Sequence, residues 1–493
     1  MAMRMHFRSL TGALALLWAG SSAMAADFHD PGFPVKHVLL ISVDGLHAAD
    51  LTGFVAARPQ SALARLADRG TSFSEARTPV PSDSFPGLLA LVTGGTPKST
   101  GIVYDDSYDR ALSPAGSDCK TFGAEMVLDE AADVDDTRRD TSLDDAKLPR
   151  DPQAGCAVVR PHQLLRVNTI FEVVKAAGGR TVWSDKHPAY DLVNGPSGAG
   201  VDDLIVPEIN AEGTTDSIPK TIAYDASRAD SVIRTILGQT ASGAGRLPSP
   251  TLFGMNLQAV SVAQKLPGAG YVDAVGTPST GLMDALEKTD ATIGRLVAAL
   301  DTAGMADTTL IVITAKHGQS PTDPALRRIV DKTLLAKIVK AAAPAGVAHI
   351  TEDTAAYIWL NAHADVQAVA KAIEAHSVDL GSPTVLSGDA LLAYFNDPTK
   401  DGRMPDVMLQ PTAGVIYAKA DATKLAEHGG SLDMDRHVGL LVAGPGIAAH
   451  RVVATPVSTT SVAPTIIGAL GLEPSRLQAV AAEATTALPS LLP

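Results

Sequence analysis

The stretch His37–Gly45, HVLLISVDG, decides the fold. Its first seven residues are almost wholly apolar, without the alternation of a half-exposed strand, and Asp44-Gly45 closes them as a turn. Such a run reads as a strand buried on both faces, the kind found in parallel sheets that carry helices on each side. Outward from it the same signal recurs at Thr181-Val182-Trp183, Leu252–Leu257, Thr309–Thr314 and Val438–Ala443. Helical patterns lie between. Ser61–Arg69 has apolar residues at helical spacing and stops at Gly70, and Thr169–Ala177 opens on a capping pair, Thr169 and Glu172. Leu282–Leu300 presents one apolar face. The alternation predicts an α/β fold built on a mostly parallel sheet flanked by helices.

Two segments break this rhythm. Residues 105–165 form an insertion that holds both cysteines and an acidic, weakly hydrophobic run from Asp129 to Asp145, read as a solvated surface feature. Residues 320–417 carry their own pattern, a strand at Ala355–Leu360 and a helix at Asp365–Glu374, which predicts a small α+β cap subdomain. Everything from 26 to 493 is then one decorated domain.

The composition narrows the function. Of 493 residues, 45% are hydrophobic and 19% charged, enough for a large core and unlike a disordered chain. Aromatic residues make up only 4%, which argues against binding through rows of stacked rings. The net charge of −14 argues against capture of a duplex nucleic acid through its phosphates. A small phosphoester is not excluded, because local charge governs such a site.

Residues 1–25 combine Arg4 and Arg8, the apolar stretch Leu10–Trp18, and Ala23-Met24-Ala25. That order predicts a secretory signal peptide cut after about Ala25, and a periplasmic or secreted protein. The apolar stretch is shorter than the ~20 residues of a spanning helix. Cleavage removes two bases and no acid, leaving −16. In an oxidising compartment Cys119 and Cys156, the only cysteines, are expected to pair, two separate buried thiols being the alternative. A bond closing that loop would contribute about 4 kcal/mol by chain entropy.

Ligand sites in open α/β sheets form beyond the carboxyl ends of strands. Three apolar runs lead to or border polar clusters: Asp44-Gly45, Lys316-His317-Gly318, and His428-Gly429-Gly430. A fourth cluster, Ser82-Asp83-Ser84-Phe85-Pro86-Gly87, precedes Leu88–Thr93 and a glycine pair. Its proline fits a first helical turn, which sets Ser84 at a helix N-terminus, where an alkoxide or a phosphate is stabilised. A plain serine cap fits the same spacing. Ser184-Asp185-Lys186-His187 reads either as a pocket wall or as a capped turn before Pro188.

Taken together, Ile41–Gly45, Ser84-Phe85-Pro86, Leu91-Val92-Thr93-Gly94 with Gly101-Ile102, Lys316-His317-Gly318, His428-Gly429 and the segment Thr459–Ile466 resemble the alkaline phosphatase superfamily. Within it they are most similar to the type I phosphodiesterase/nucleotide pyrophosphatase branch. The resemblance implies an alkaline-phosphatase-like fold, a hydrolase with two divalent metals, usually zinc, and a covalent phospho-enzyme formed on Ser84. It also implies that Asp44 and His317 hold one metal and that His428 serves the other.

The departures are specific. Lys316 stands where the family has a metal-binding carboxylate, and no P-D-x-x-G-H sequence occurs. Asp273 is the candidate replacement ligand. Lys316 is assigned to charge stabilisation beside the nucleophile, a solvent-facing or structurally paired lysine being the alternative. His47, Asp433, Asp435 and His437 are further candidates. The expected activity is exported, metal-dependent hydrolysis of a small phosphoester. The competing expectation is a degenerate member that binds an anionic or phosphorylated ligand without turnover. Sulfate-ester hydrolysis is disfavoured, since the C-x-P-x-R signature of formylglycine sulfatases is absent.

Overall fold

Along the first strand, alternate side chains enter two different cores. Val38 and Leu40 pack into one, Leu39, Ile41 and Val43 into the other. The same division holds for Leu310 and Val312 against Ile311 and Ile313. This is what an uninterrupted apolar run implies: the sheet has a hydrophobic layer on each face. The computed structural model describes residues 34–491, so the expected leader lies outside the described residues.

Eight strands form the main sheet: β1 (His37–Val43), β2 (Gly70–Phe73), β3 (Thr181–Ser184), β4 (Asp203–Ile205), β5 (Leu252–Leu257), β6 (Thr309–Thr314), β7 (Leu441–Ala443) and β8 (Arg451–Val453). Their spatial order is β8-β2-β7-β6-β1-β5-β3-β4. All pairings are parallel except those of β7, which runs antiparallel to both β6 and β2. The expected strands at 37–43, 252–257 and 309–314 coincide with β1, β5 and β6. The last expected strand is shorter than its apolar run, since Val438 instead bridges to His47.

Register aligns the carboxyl ends of the central strands. Ser42 lies opposite Asn256 on one side and Thr314 on the other, and Met255 lies opposite Ser184. The residues that follow β1, β3, β5 and β6 therefore emerge along a single edge. Helices cover both faces, the longest being Ile218–Ile236 and Thr280–Thr302.

Residues 320–417 contain a four-stranded sheet, in the order Val347–Glu352, Ala356–Leu360, Val407–Gln410, Thr384–Ser387. Helices Lys332–Ala342 and Val366–Ala375 pack on it around a separate hydrophobic cluster. The Cys119–Cys156 disulfide is formed, with Cα atoms 5.8 Å apart. Within the acidic run Asp129–Asp145 only Ala132 and Asp133 are buried, and the rest lies at or near the surface. The residues before that run dock against the domain: Leu112, Ala124, Met126 and Leu128 enter the main core. Among the described residues no helix is long and apolar enough to cross a membrane.

Candidate active site

Asp44 extends β1 into the aligned edge and is fully buried. A carboxylate can only accept hydrogen bonds, so it turns the neighbouring amides toward itself. Asn256 Nδ2 donates to Oδ1 at 2.6 Å, and Gln258 Nε2 donates to Oδ2 at 2.6 Å. Gln258 is itself held by the buried Asp225–Arg228 pair, because Asp225 accepts the backbone N–H groups of Gln258 and Ala259 at 2.8 and 2.9 Å.

Ser84 opens the helix Ser84–Thr93, with Asp83 as its cap accepting the Phe85 N–H at 3.1 Å. Gly87 brings this helix against the end of β6: a Cβ there would lie 1.9 Å from the Lys316 carbonyl oxygen. Phe85 stacks on Tyr190 with ring centroids 4.4 Å apart, a second contact that holds the start of the helix. As a result Ser84 Oγ sits 3.3 Å from His317 Nε2 and 3.1 Å from Lys186 Nζ. His317 Nδ1 donates to the Gly318 carbonyl at 2.7 Å. In the neutral ring that bond places the hydrogen on Nδ1 and leaves the Nε2 lone pair for the serine.

Two ammonium groups share the neighbourhood of Asp44. Lys186 Nζ is 3.4 Å and Lys316 Nζ 3.7 Å from Asp44 Oδ2, and His317 Nε2 is 3.5 Å from the same oxygen. Burial alone would raise the Asp44 pKa, but the charges of Lys316, His317 and Lys186 hold it well below the usual carboxylate range. Burial pulls Lys186 down, yet Asp44, Asp185 and other acids more than compensate, so its pKa is raised. For Lys316 burial dominates and the pKa is lowered, against the opposing pull of Asp185 and Asp44.

The sequence-derived assignments divide clearly. Asp44, Ser84, His317 and His428 are brought together; the His317 and His428 ring centroids are 3.8 Å apart. Lys316 is near but not beside the serine: its Nζ binds Tyr190 Oη at 2.8 Å and Asp185 at 3.2 Å. Lys186, from the cluster that also read as a capped turn, is the lysine that reaches Ser84. Asp273 does not join the site. Its carboxylate caps an exposed turn through the N–H groups of Val275 and Thr277. His47 is bound to Asp50 and Gln319 at a helix start, Asp433 pairs with Arg77, and His437 binds the Ser74 carbonyl. Asp435 accepts from Thr354 and Gly430 and braces the His428 loop. Asp83, Asp185, Asn256 and Gln258 complete the cluster. No spacing rule marks them, because they come from three separate segments.

A divalent metal suits only one side of this arrangement. Around Asp44 the only lone-pair donor besides the serine is His317 Nε2, and the other neighbours are amide N–H and ammonium groups, which offer a cation nothing and, for the two lysines, repel it. On the other side, Asp83 Oδ1 and His428 Nδ1 are buried without a hydrogen-bond partner and lie 3.4 Å apart. Burial, reinforced by the charges of His317 and Lys265, pushes His428 down to about 3, leaving a neutral imidazole. A carboxylate and a neutral imidazole are donors of the right type. The Thr354 N–H and the Tyr104 hydroxyl hold the His428 carbonyl at 3.3 and 3.4 Å. A separate group, Asp106, Glu125 and His349, brings its possible ligand atoms within 4.8 Å where the hairpin of Asp106–Asp109 and Ala124–Val127 meets the strand Val347–Glu352 of the four-stranded sheet.

Solved structures share this architecture. Murine ectonucleotide pyrophosphatase/phosphodiesterase 5 superposes with a TM-score of 0.57 at 14% identity, covering 89% of this chain and 95% of its own. An inactive form of the murine protein in complex with AMP gives 0.57 at 15%, with coverage of 89% and 95%. The human counterpart gives 0.56 at 15%, with 92% of this chain and 96% of that one. No curated protein sequence matches. The sequence profile of the type I phosphodiesterase/nucleotide pyrophosphatase family, whose members are typically metal-dependent, matches residues 38–434. That match takes in β1, the Ser84 helix, β6 and the His428 loop, and the chain belongs to the type I phosphodiesterase/nucleotide pyrophosphatase family.

Proposed function

We propose that this chain is an exported phosphoester hydrolase of the phosphodiesterase/nucleotide pyrophosphatase type, with Ser84 as its nucleophile. The observation that carries the reading is Ser84 Oγ at a helix start, 3.3 Å from an imidazole nitrogen whose hydrogen is fixed on the opposite side of the ring. In the first step the Oγ–P bond forms and the bond to the leaving oxygen breaks. The Oγ proton passes to His317 Nε2, and the resulting imidazolium lies 3.5 Å from Asp44. In the second step water attacks phosphorus, the P–Oγ bond breaks, and Ser84 recovers a proton. The helix N-terminus and Lys186 stabilise charge on the phosphoryl oxygens.

A divalent ion held by Asp83 and His428, zinc being suited to such donors, would supply Lewis acidity on that side of the phosphoryl group. The complex of a structural neighbour with AMP supports a nucleotide phosphoester as the substrate class. The signal-peptide pattern at 1–25 and the disulfide support export. The segments 105–165 and 320–417 border substrate entry in this reading.

Hydrolysis of bis(p-nitrophenyl) phosphate tests the reading. Ser84→Ala is expected to lower kcat at least about a thousandfold with an unchanged melting temperature, a loss typical for an essential nucleophile. Full activity in that variant removes Ser84 from the mechanism. A second reading, binding of an anionic ligand without turnover, is favoured by the 3% exposure of Ser84 and by the non-metal surroundings of Asp44. Tight AMP binding with no hydrolysis of any phosphoester would support it.

A further inference from the structure

We infer that the Lys186 ammonium does at the nucleophile what a metal ion would do there, so that the Ser84–Asp44 side of the site functions without a divalent cation. The inference rests on Ser84 being the reacting group, and it assigns a role to a lysine that the family resemblance does not identify. Lys186 Nζ spans the gap between Ser84 Oγ, 3.1 Å away, and Asp44 Oδ2, 3.4 Å away. A cation joining nucleophile and carboxylate would have to lie between those same two oxygens.

The surroundings exclude sharing the place. Asn256 and Gln258 aim N–H groups at both Asp44 oxygens, and Lys316 Nζ lies 3.7 Å from Oδ2. These are positive or hydrogen-bearing groups, and a divalent ion among them would gain one imidazole nitrogen, that of His317, against the repulsion of two ammonium groups. Lys316 sits behind, over the Tyr190 ring with its Nζ 4.4 Å from the centroid, and anchors Asp185. The division of labour follows. Lys316 is a positioning residue locked in the core, whereas Lys186, whose side chain keeps 14% exposure, is the one that meets the phosphoryl group. A fixed ammonium lowers the cost of a forming serine alkoxide and pairs with a phosphoryl oxygen, and it keeps its three protons throughout. The molecule then takes at most one catalytic metal, at Asp83 and His428.

The test measures metal content and anion binding together with turnover. Purified protein loaded with zinc and dialysed is expected to hold no more than one ion in the catalytic site. That ion should disappear in His428→Ala and persist in Asp44→Asn. Asp106→Ala is the background for these counts, so that the separate Asp106, Glu125 and His349 group does not contribute. Inorganic phosphate should still bind the metal-stripped protein in calorimetry, at least about tenfold more weakly in Lys186→Met. With bis(p-nitrophenyl) phosphate, Lys186→Met should lower kcat about a hundredfold or more while moving KM severalfold at most. Two catalytic ions, an ion lost with Asp44→Asn, or phosphate binding that appears only with added zinc would overturn the inference. The metal count and the phosphate titration on unmutated Lys186 decide it even if Lys186→Met does not fold. Phosphate binding without metal but no ester hydrolysis would refute the hydrolase reading and, with it, the part of Lys186 at a nucleophile, leaving only a metal-free anion site.

Discussion

Asp44 is the residue on which the site's electrostatics turn. It is the buried anion facing Lys186, Lys316 and His317, and two amides complete its coordination. Removing one member of such a buried cluster leaves the others uncompensated, at a cost of about 3–5 kcal/mol. Asp44→Asn is therefore expected to destabilise the fold by that order, as read from the denaturant midpoint. A change within about 0.5 kcal/mol, the range of a surface substitution, would show that the lysines find other partners. At the same scale the two lysines exchange the roles that chain order suggests. Lys316 directly precedes His317, but in the bend that follows β6 the two side chains part: Lys316 turns to Tyr190 and Asp185 while His317 faces the serine.

At the scale of elements, the geometry of the candidate site depends on one close approach. The helix Ser84–Thr93 lies so near the end of β6 that Gly87 has no room for a side chain against the Lys316 carbonyl. In Gly87→Ala the added carbon would push the helix away, lengthening the distance from Ser84 Oγ to His317. Overpacking of this kind costs about 1–3 kcal/mol, and a displacement of about 1 Å can cost a hundredfold in rate. The expected result is a loss in kcat far larger than the loss in melting temperature would suggest. Wild-type kcat in a folded Gly87→Ala protein would show that the contact is not what places the serine. Element prediction also explains a miss. The helix Ile218–Ile236 has an apolar stripe, Ile222, Ala229, Val232 and Ile236, but buries Thr221, Asp225, Arg228 and Thr235 beside it, so polar residues interrupt its inward face. Of these, Asp225, paired with Arg228, orients the Gln258 segment.

Across the whole molecule, the insertion is docked through acids as well as through apolar residues. Asp133 is buried near Glu208, and burial with the Glu208 charge raises its pKa to about 8; Glu208 itself is raised by burial to about 7. A carboxyl whose pKa is higher in the folded state stabilises the fold fully below its unfolded value, near 4. That contribution is lost as pH rises from about 4 to about 8. Asp133→Asn cannot titrate. The difference in melting temperature between wild type and Asp133→Asn is therefore expected to shift against wild type between pH 5 and pH 8. A difference independent of pH would mean that Asp133 is ionised in the folded protein.

How much was legible follows from what each signal requires. A strand buried on both faces must be apolar throughout, so β1, β5 and β6 stood out, as did the chemistry at the ends of β1 and β6. The outlying strands Gly70–Phe73, Asp203–Ile205 and Arg451–Val453, of which the last two form the edges, are only three or four residues long and gave no such signal. Asp273 was misplaced because an aspartate in a turn and an aspartate in a site look alike until the turn's N–H groups are seen to claim it.

The amino-acid sequence by itself determined the doubly covered sheet, the edge at which polar groups gather, and four of the groups found there: Asp44, Ser84, His317 and His428. These are local properties, carried by apolar runs and by the residues that end them. Only the tertiary structure decided which cation stands beside the serine. Lys186 lies 102 positions from Ser84 and 142 from Asp44, and the parallel register of β3, β5 and β1 brings them within a hydrogen bond's reach. Charge placement of that kind is a through-space quantity, set where strand ends meet, and no window along the chain contains it.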